Sequence, residues 1–164
     1  MRLSRPLEVT VRRAVPKDCD GILAAHIEAI RELCKGEYSK SQLAAWADRL
    51  TPSGYLPAME KNVLLVAEVE GRVAGFAELA PSSGEIVAIY VHPRHARQGV
   101  GRQLFHALEQ LANGSGGVAA LHLNSSLTAV PFYERLGFVA GAPSMHCLGN
   151  GIEIPCIPMF RGAT

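Results

Sequence analysis

The chain has almost no excess of charge: sixteen Lys and Arg against fifteen Asp and Glu leave a formal net charge of +1 over 164 residues. Whole-surface attraction to nucleic acid or anionic lipid shows as a basic excess or block, and the total offers neither. Long apolar runs are missing too; none approaches the ~20 residues that span a bilayer. Residues 1–8 carry charge with no apolar stretch behind them, unlike a secretory leader. The four cysteines, at positions 19, 34, 147 and 156, form no Cys-x-x-Cys pair, so the tight ligand spacing of a zinc site is absent. Cys147 and Cys156 could face each other across a hairpin, but without secretion the expectation is buried thiols and a cytoplasmic protein. Aromatic residues are only 6% of the chain.

What is present is alanine, 22 residues of it, and a globular balance of 48% hydrophobic and 19% charged residues. Together they predict a single domain with a core of small and aliphatic side chains. Residues 8–15 read as a strand. Pro16, Asp18 and Asp20 then suit a helix start, and Ile22, His26, Ala29, Ile30 and Leu33 recur at helical spacing to about Cys34. Ser39 or Ser41 caps a short second helix through Trp46, and residues 51–57 read as loop. Residues 63–69 and 72–79 form a hairpin around Glu70-Gly71, and residues 85–92 a further strand stopped by Pro93. Val100, Leu104, Ala107, Leu108 and Leu111 make a helical stripe that ends at Asn113-Gly114-Ser115-Gly116-Gly117. Residues 118–123 read as a strand covered on both faces. A helix over residues 128–136, with Pro131 near its start and Gly137 as its stop, follows. Residues 138–147 and 153–160 close the chain as a hairpin around Gly149-Asn150-Gly151.

This order implies an α/β (α+β) fold: one mixed sheet of about seven strands, helices on both faces, a central parallel crossover and a C-terminal hairpin.

The stretch from Ile89 to Leu104 carries the chemistry. A strand stops at a proline, basic residues follow, and Gly99 and Gly101 open a helix. The first amides of a helix have no partner within it and sit in positive potential, while glycines let main chain approach a ligand, so the segment suits a phosphate or pyrophosphate. Arg94, His95, Arg97 and Arg102 add charge there. A P-loop is excluded because the chain has no Gly-Lys pair. A dinucleotide fingerprint fails because position 104 is Leu and no acidic residue ends the next strand.

Val91-His92-Pro93 running into Arg97-Gln98-Gly99-Val100-Gly101-Arg102, with Pro131-Phe132-Tyr133-Glu134-Arg135-Leu136-Gly137-Phe138 about thirty residues on, resembles the GNAT superfamily of acyl-CoA-dependent N-acetyltransferases. The element order is also similar to that family's, and residues 38–47 resemble a bacterial branch with a Gln-Leu-x-x-Trp-Ala segment. The resemblance implies acetyl-CoA as cosubstrate and direct attack on its thioester by a primary amine, carried on a small molecule or a peptide terminus. It implies that the main chain of Ile89 and Val91 pairs with the pantetheine arm, the Ile89 amide lying near the thioester carbonyl. The amides of Arg97, Gln98, Gly99, Val100, Gly101 and Arg102 would hold the pyrophosphate. Tyr133 would protonate the departing thiolate, with Phe132 as packing. Two departures stand out. Ala96 occupies a position where the family often has Arg or Gln, and Ser126-Leu127-Thr128-Ala129 replaces a common Asn-x-x-Ala, so that Asn role passes to Ser126 or Asn124.

The reaction needs a neutral amine, an oxyanion donor and a proton for sulfur. Glu78, Glu85, His92 and His122 are unranked candidates for the base. On residue type alone, His122 reads as a hydrogen-bonded core histidine, His92 and His95 as loop surface, and His26 and His106 as members of helix faces. Tyr38 and Trp46 serve either the core or a substrate wall. No metal, nucleic-acid or membrane partner is expected, and the chain reads as a monomer or homodimer. Two rival readings are a non-catalytic acyl-CoA sensor and a module for another phosphate ligand.

Overall fold

Glu70 and Gly71 take φ values of 52° and 75°, the geometry of a tight hairpin turn, and join β2 (Val63–Val69) to β3 (Arg72–Ala80). Around this hairpin the computed structural model describes residues 5–114, 120–149 and 151–162. β1 (Thr10–Arg13) pairs antiparallel with β2, and β4 (Glu85–Val91) antiparallel with β3. β5 (Leu121–Ser125) lies parallel to β4, and β8 (Glu153–Arg161) returns antiparallel to β5. The sheet order is β1-β2-β3-β4-β5-β8-β6, with β7 also on β8.

Among the described residues there are eight strands, where about seven were expected. The first arm of the terminal hairpin is cut into β6 (Val139–Ala140) and β7 (Ser144–Cys147) by residues 141–143, where Pro143 supplies no ladder donor. Cys147 faces Glu153 and Cys156 faces Ser144, so the two cysteines are not opposite each other. Cys147 is exposed; the other three cysteines are buried, as expected. Asn150, in the turn that follows, lies outside the described residues, as do residues 115–119 of the glycine-rich connector and the start of the expected fifth strand.

Helix α1 (Cys19–Glu28) ends in a single π-helical turn, Ala29–Leu33, rather than running on as α-helix to Cys34. Ser39 caps α2 (Lys40–Asp48) by accepting from the Gln42 amide, and the Gln42 side chain returns a bond to the Ser39 amide. The expected loop at residues 51–57 is instead a 3-10 turn, Pro52–Tyr55, and a short α3 (Leu56–Lys61). Pro52 and Pro57 sit in their first turns, where no amide is needed.

α4 (Val100–Asn113) buries Val100, Leu104, Phe105 and Leu108; Leu111, expected on the stripe, is 39% exposed. With α5 (Val130–Arg135) it covers one face of the sheet, over Leu65, Ala77, Leu79, Ile86 and Leu123. On the opposite face α1 packs over Leu64, Val66 and Phe76, and α2 over Ile154 and Leu148. β5 alternates rather than being covered on both faces: Leu121, Leu123 and Ser125 are buried, while Asn124 is exposed. Among the described residues no helix is long and apolar enough to cross a membrane, and no His, Cys, Asp and Glu group is arranged to hold a metal.

Candidate active site

β4 and β5 pair at one position, Glu85 opposite His122, where the His122 amide donates to the Gly84 carbonyl at 3.1 Å. Beyond it β5 stays with β8 along its whole length and β4 stays with β3, so the two parallel strands part. The His92 amide donates to the Ala74 carbonyl at 2.7 Å. Antiparallel hydrogen bonding alternates, so Tyr90 also directs its main chain to β3 while Ile89 and Val91 turn their N–H and C=O groups to the gap. Their side chains pack beneath α4, and that of Tyr90 leaves on the opposite face. Gly75 lets the strands sit this close: a Cβ there would lie 2.7 Å from the Tyr90 carbonyl oxygen.

The gap runs into the turn before α4. Arg97 and Gly99 have φ of 59° and 84°. The first helical bond is Gln103 N–H to the Gly99 carbonyl, at 3.0 Å. Among the described residues the amides of Arg97, Gln98, Gly99, Val100, Gly101 and Arg102 make no main-chain hydrogen bond of normal geometry. Arg94, Arg97 and Arg102 have no acidic partner within the described residues. The Gln98 side chain donates to the Arg94 carbonyl at 3.3 Å. Gly99 is required by its left-handed φ. Gly101 has a packing need as well: a Cβ would meet the Phe132 ring at 3.2 Å, so this glycine admits α5 against the first turn of α4.

That packing also fixes Tyr133. Its ring stands edge-on between Phe132 and Phe138, 5.0 and 5.7 Å away between centroids, and the residue is 6% exposed. Its hydroxyl makes no hydrogen bond among the described residues, and burial pushes its pKa well up, so it stays protonated. Of the two alternatives for the Asn role, Ser126 uses its hydroxyl to accept from the Ala129 amide at 3.2 Å. Asn124 is exposed, and its side chain is uncommitted among the described residues.

The base candidates separate by chemistry. His92 accepts the Arg94 amide on Nδ1 at 3.1 Å, and burial followed by the Arg94 charge lowers its pKa. A neutral ring so bonded carries its proton on Nε2 and has no free lone pair. His122 is half-buried, with Nε2 at 3.2 Å from the Ser83 carbonyl. Glu85 stands beside it at the root of the gap. Glu78 is half-buried, shares the Phe76 face of β3 and pairs with Ala88; burial raises its pKa although Asn62 donates to it at 2.8 Å.

Across β4 lies an aromatic wall. Tyr90 stacks on Phe76 at 5.7 Å, with His26 4.3 Å and Trp46 6.4 Å away between centroids. His26 is buried, bonded through Nδ1 to the Tyr55 hydroxyl at 2.9 Å and held neutral by burial, its pKa lowered to about 3. Tyr38 donates to the Pro155 carbonyl at 2.7 Å and accepts from the Leu127 amide at 3.0 Å, so both it and Trp46 belong to this wall. The Cys34 thiol, raised by burial, meets the Ser126 and Thr128 side chains. Sequence reasoning passed over Tyr90 and Cys34. The signal for Tyr90 was available: side chains alternate along a strand, so it emerges on the face opposite Ile89 and Val91.

This chain matches the model of the family described as Acetyltransferase (GNAT) domain over residues 34–159. It is 28% identical over 130 residues to an uncharacterised N-acetyltransferase of Escherichia coli K12, YafP, covering 79% of this chain and 81% of that one. The crystal structure of a GCN5-related N-acetyltransferase from Rhodopseudomonas palustris superposes with a TM-score of 0.84 at 29% identity, over 99% of this chain and 98% of that one. The PaiA N-acetyltransferase of Thermoplasma acidophilum, solved with coenzyme A, shares the fold, with a TM-score of 0.78 at 17% identity over 95% and 99% of the two chains. The parted strands, the unbonded turn and the family match lead to one identification: this chain belongs to the GNAT family of N-acetyltransferases.

Proposed function

We propose that the protein transfers an acetyl group from acetyl-CoA to a primary amine, on a small molecule or peptide terminus, by direct attack on the thioester. The observation that carries this reading is the gap between β4 and β5, with the main chain of Ile89 and Val91 directed into it and the turn at residues 97–102 at its mouth. The pantetheine arm pairs with Ile89 and Val91 as an added strand, and the Ile89 amide polarises the thioester carbonyl. The six amides of the turn, with Arg94, Arg97 and Arg102 around them, take the pyrophosphate. Asn124, whose amide is free of other bonds among the described residues, gives the side-chain contact that Ser126 has committed elsewhere.

An amine arriving as ammonium must lose a proton before it attacks. Glu78 receives it, directly or through water, because burial gives its carboxylate more proton affinity than an ordinary one. The nitrogen lone pair then forms the C–N bond, the C–S bond breaks as Tyr133 gives its phenolic proton to the departing sulfur, and the extra proton on the product nitrogen returns to the phenolate, directly or through water. Thiol release from acetyl-CoA across a panel of amines tests the transfer. Competition between CoA and ATP in thermal shift separates it from a general phosphate module: stabilisation by ATP and not by CoA overturns the reading. CoA binding with no turnover on any amine makes the protein a sensor.

A further inference from the structure

The four tyrosines divide into two pairs. The Tyr38 hydroxyl is tied to Pro155 and Leu127, and the Tyr55 hydroxyl to His26. The hydroxyls of Tyr90 and Tyr133 have no hydrogen-bond partner among the described residues. Tyr90 is half-buried, and among the described residues no buried side-chain oxygen lacks a partner, so both hydroxyls open to solvent and are reachable by a ligand. Tyr133 has a task in the transfer proposed above; Tyr90 has none, although its Cα lies between Ile89 and Val91, at the place assigned to the thioester. Its ring is fixed by Phe76, His26 and Trp46, so the direction of the hydroxyl is set by packing. The half-open residues around the same cluster, Ile27, Leu127 and Ile152, are apolar.

We propose that the Tyr90 hydroxyl binds and orients the acceptor nitrogen, and that the acceptor is a primary amine on an aromatic or aliphatic body. The oxygen accepts an N–H of the amine and so aims the lone pair at the carbonyl, while the apolar residues receive the body. Tyr90 is an acceptor-binding residue and moves no proton. The inference rests on the acetyl-transfer reading.

Thiol release is measured at saturating acetyl-CoA with 2-phenylethylamine and with ethanolamine, for the wild type, Tyr90→Phe and Tyr55→Phe, alongside calorimetric CoA binding. The expected result is a lower KM for 2-phenylethylamine than for ethanolamine. Tyr90→Phe raises the former about tenfold, the effect of one lost hydrogen bond, with CoA affinity unchanged. Tyr55→Phe, which removes the buried hydroxyl that bonds His26 from behind the wall, lowers Tm and leaves KM alone. Absence of CoA binding by the wild type overturns the acetyl-transfer reading itself. With CoA bound, an unchanged KM in Tyr90→Phe, equal loss in Tyr55→Phe, ethanolamine preferred, or no turnover of 2-phenylethylamine overturns this inference alone.

Discussion

The turn at residues 97–102 offers its main chain from one short stretch of sequence, whereas the wall across β4 is made of side chains from α1, α2, β3 and β4. The turn works whatever most of its side chains are, provided φ at Arg97 and Gly99 stays positive. The wall works only if His26, Tyr38, Trp46, Phe76 and Tyr90 are held together by the whole fold. On the proposed reading, one sheet carries a cosubstrate site that depends on backbone geometry and an acceptor site that depends on packing. The first suits a ligand common to a family; the second is free to differ between members.

The largest effect is expected at Tyr133, which packs under α4 and belongs to neither region. Tyr133→Phe is expected to lower kcat about a hundredfold, the low end of what a positioned acid contributes, while calorimetry finds CoA affinity unchanged. An equal loss in CoA binding would make Tyr133 part of the cosubstrate site. Gly99→Val tests the turn alone. A β-branched residue at φ 84° costs about 1–2 kcal/mol, so CoA affinity should fall about tenfold while the KM for the amine moves little.

The wall has its own probe in pH. The folded pKa of His26, about 3, lies below its ordinary 6.5. The neutral ring therefore contributes its full stability above about pH 6.5, and that contribution is lost as pH falls from there toward 3. Urea denaturation should show stability falling by up to about 1 kcal/mol per pH unit in this window, with the slope reduced in His26→Phe. A slope unchanged in that variant would remove His26 as its source.

The same division explains what could be read from the sequence. Gly99, Pro93 and the arginines punctuate a local segment, so the turn, α4 and the approach of β4 are legible residue by residue. The hairpin at Glu70-Gly71 is legible for the same reason. The wall is not, because nothing in the spacing of His26, Trp46 and Tyr90 says that three distant segments meet. The packing need at Gly101 was not legible, since the Phe132 ring that crowds it lies in another helix. α3 was hidden by Pro52 and Pro57, which mark a loop in sequence yet serve as first-turn residues here. The break between β6 and β7 followed from a proline whose effect depends on register with β8.

On the proposed function, the main chain of Ile89 and Val91 receives acetyl-CoA in the gap between β4 and β5. Residue-resolved amide hydrogen exchange with and without CoA tests it most directly. The Ile89 and Val91 amides should exchange readily in the free protein and become protected with CoA, together with those of residues 97–102, while the Tyr90 amide, already bonded to β3, does not change. CoA binding that leaves Ile89 and Val91 exchanging as before would contradict it.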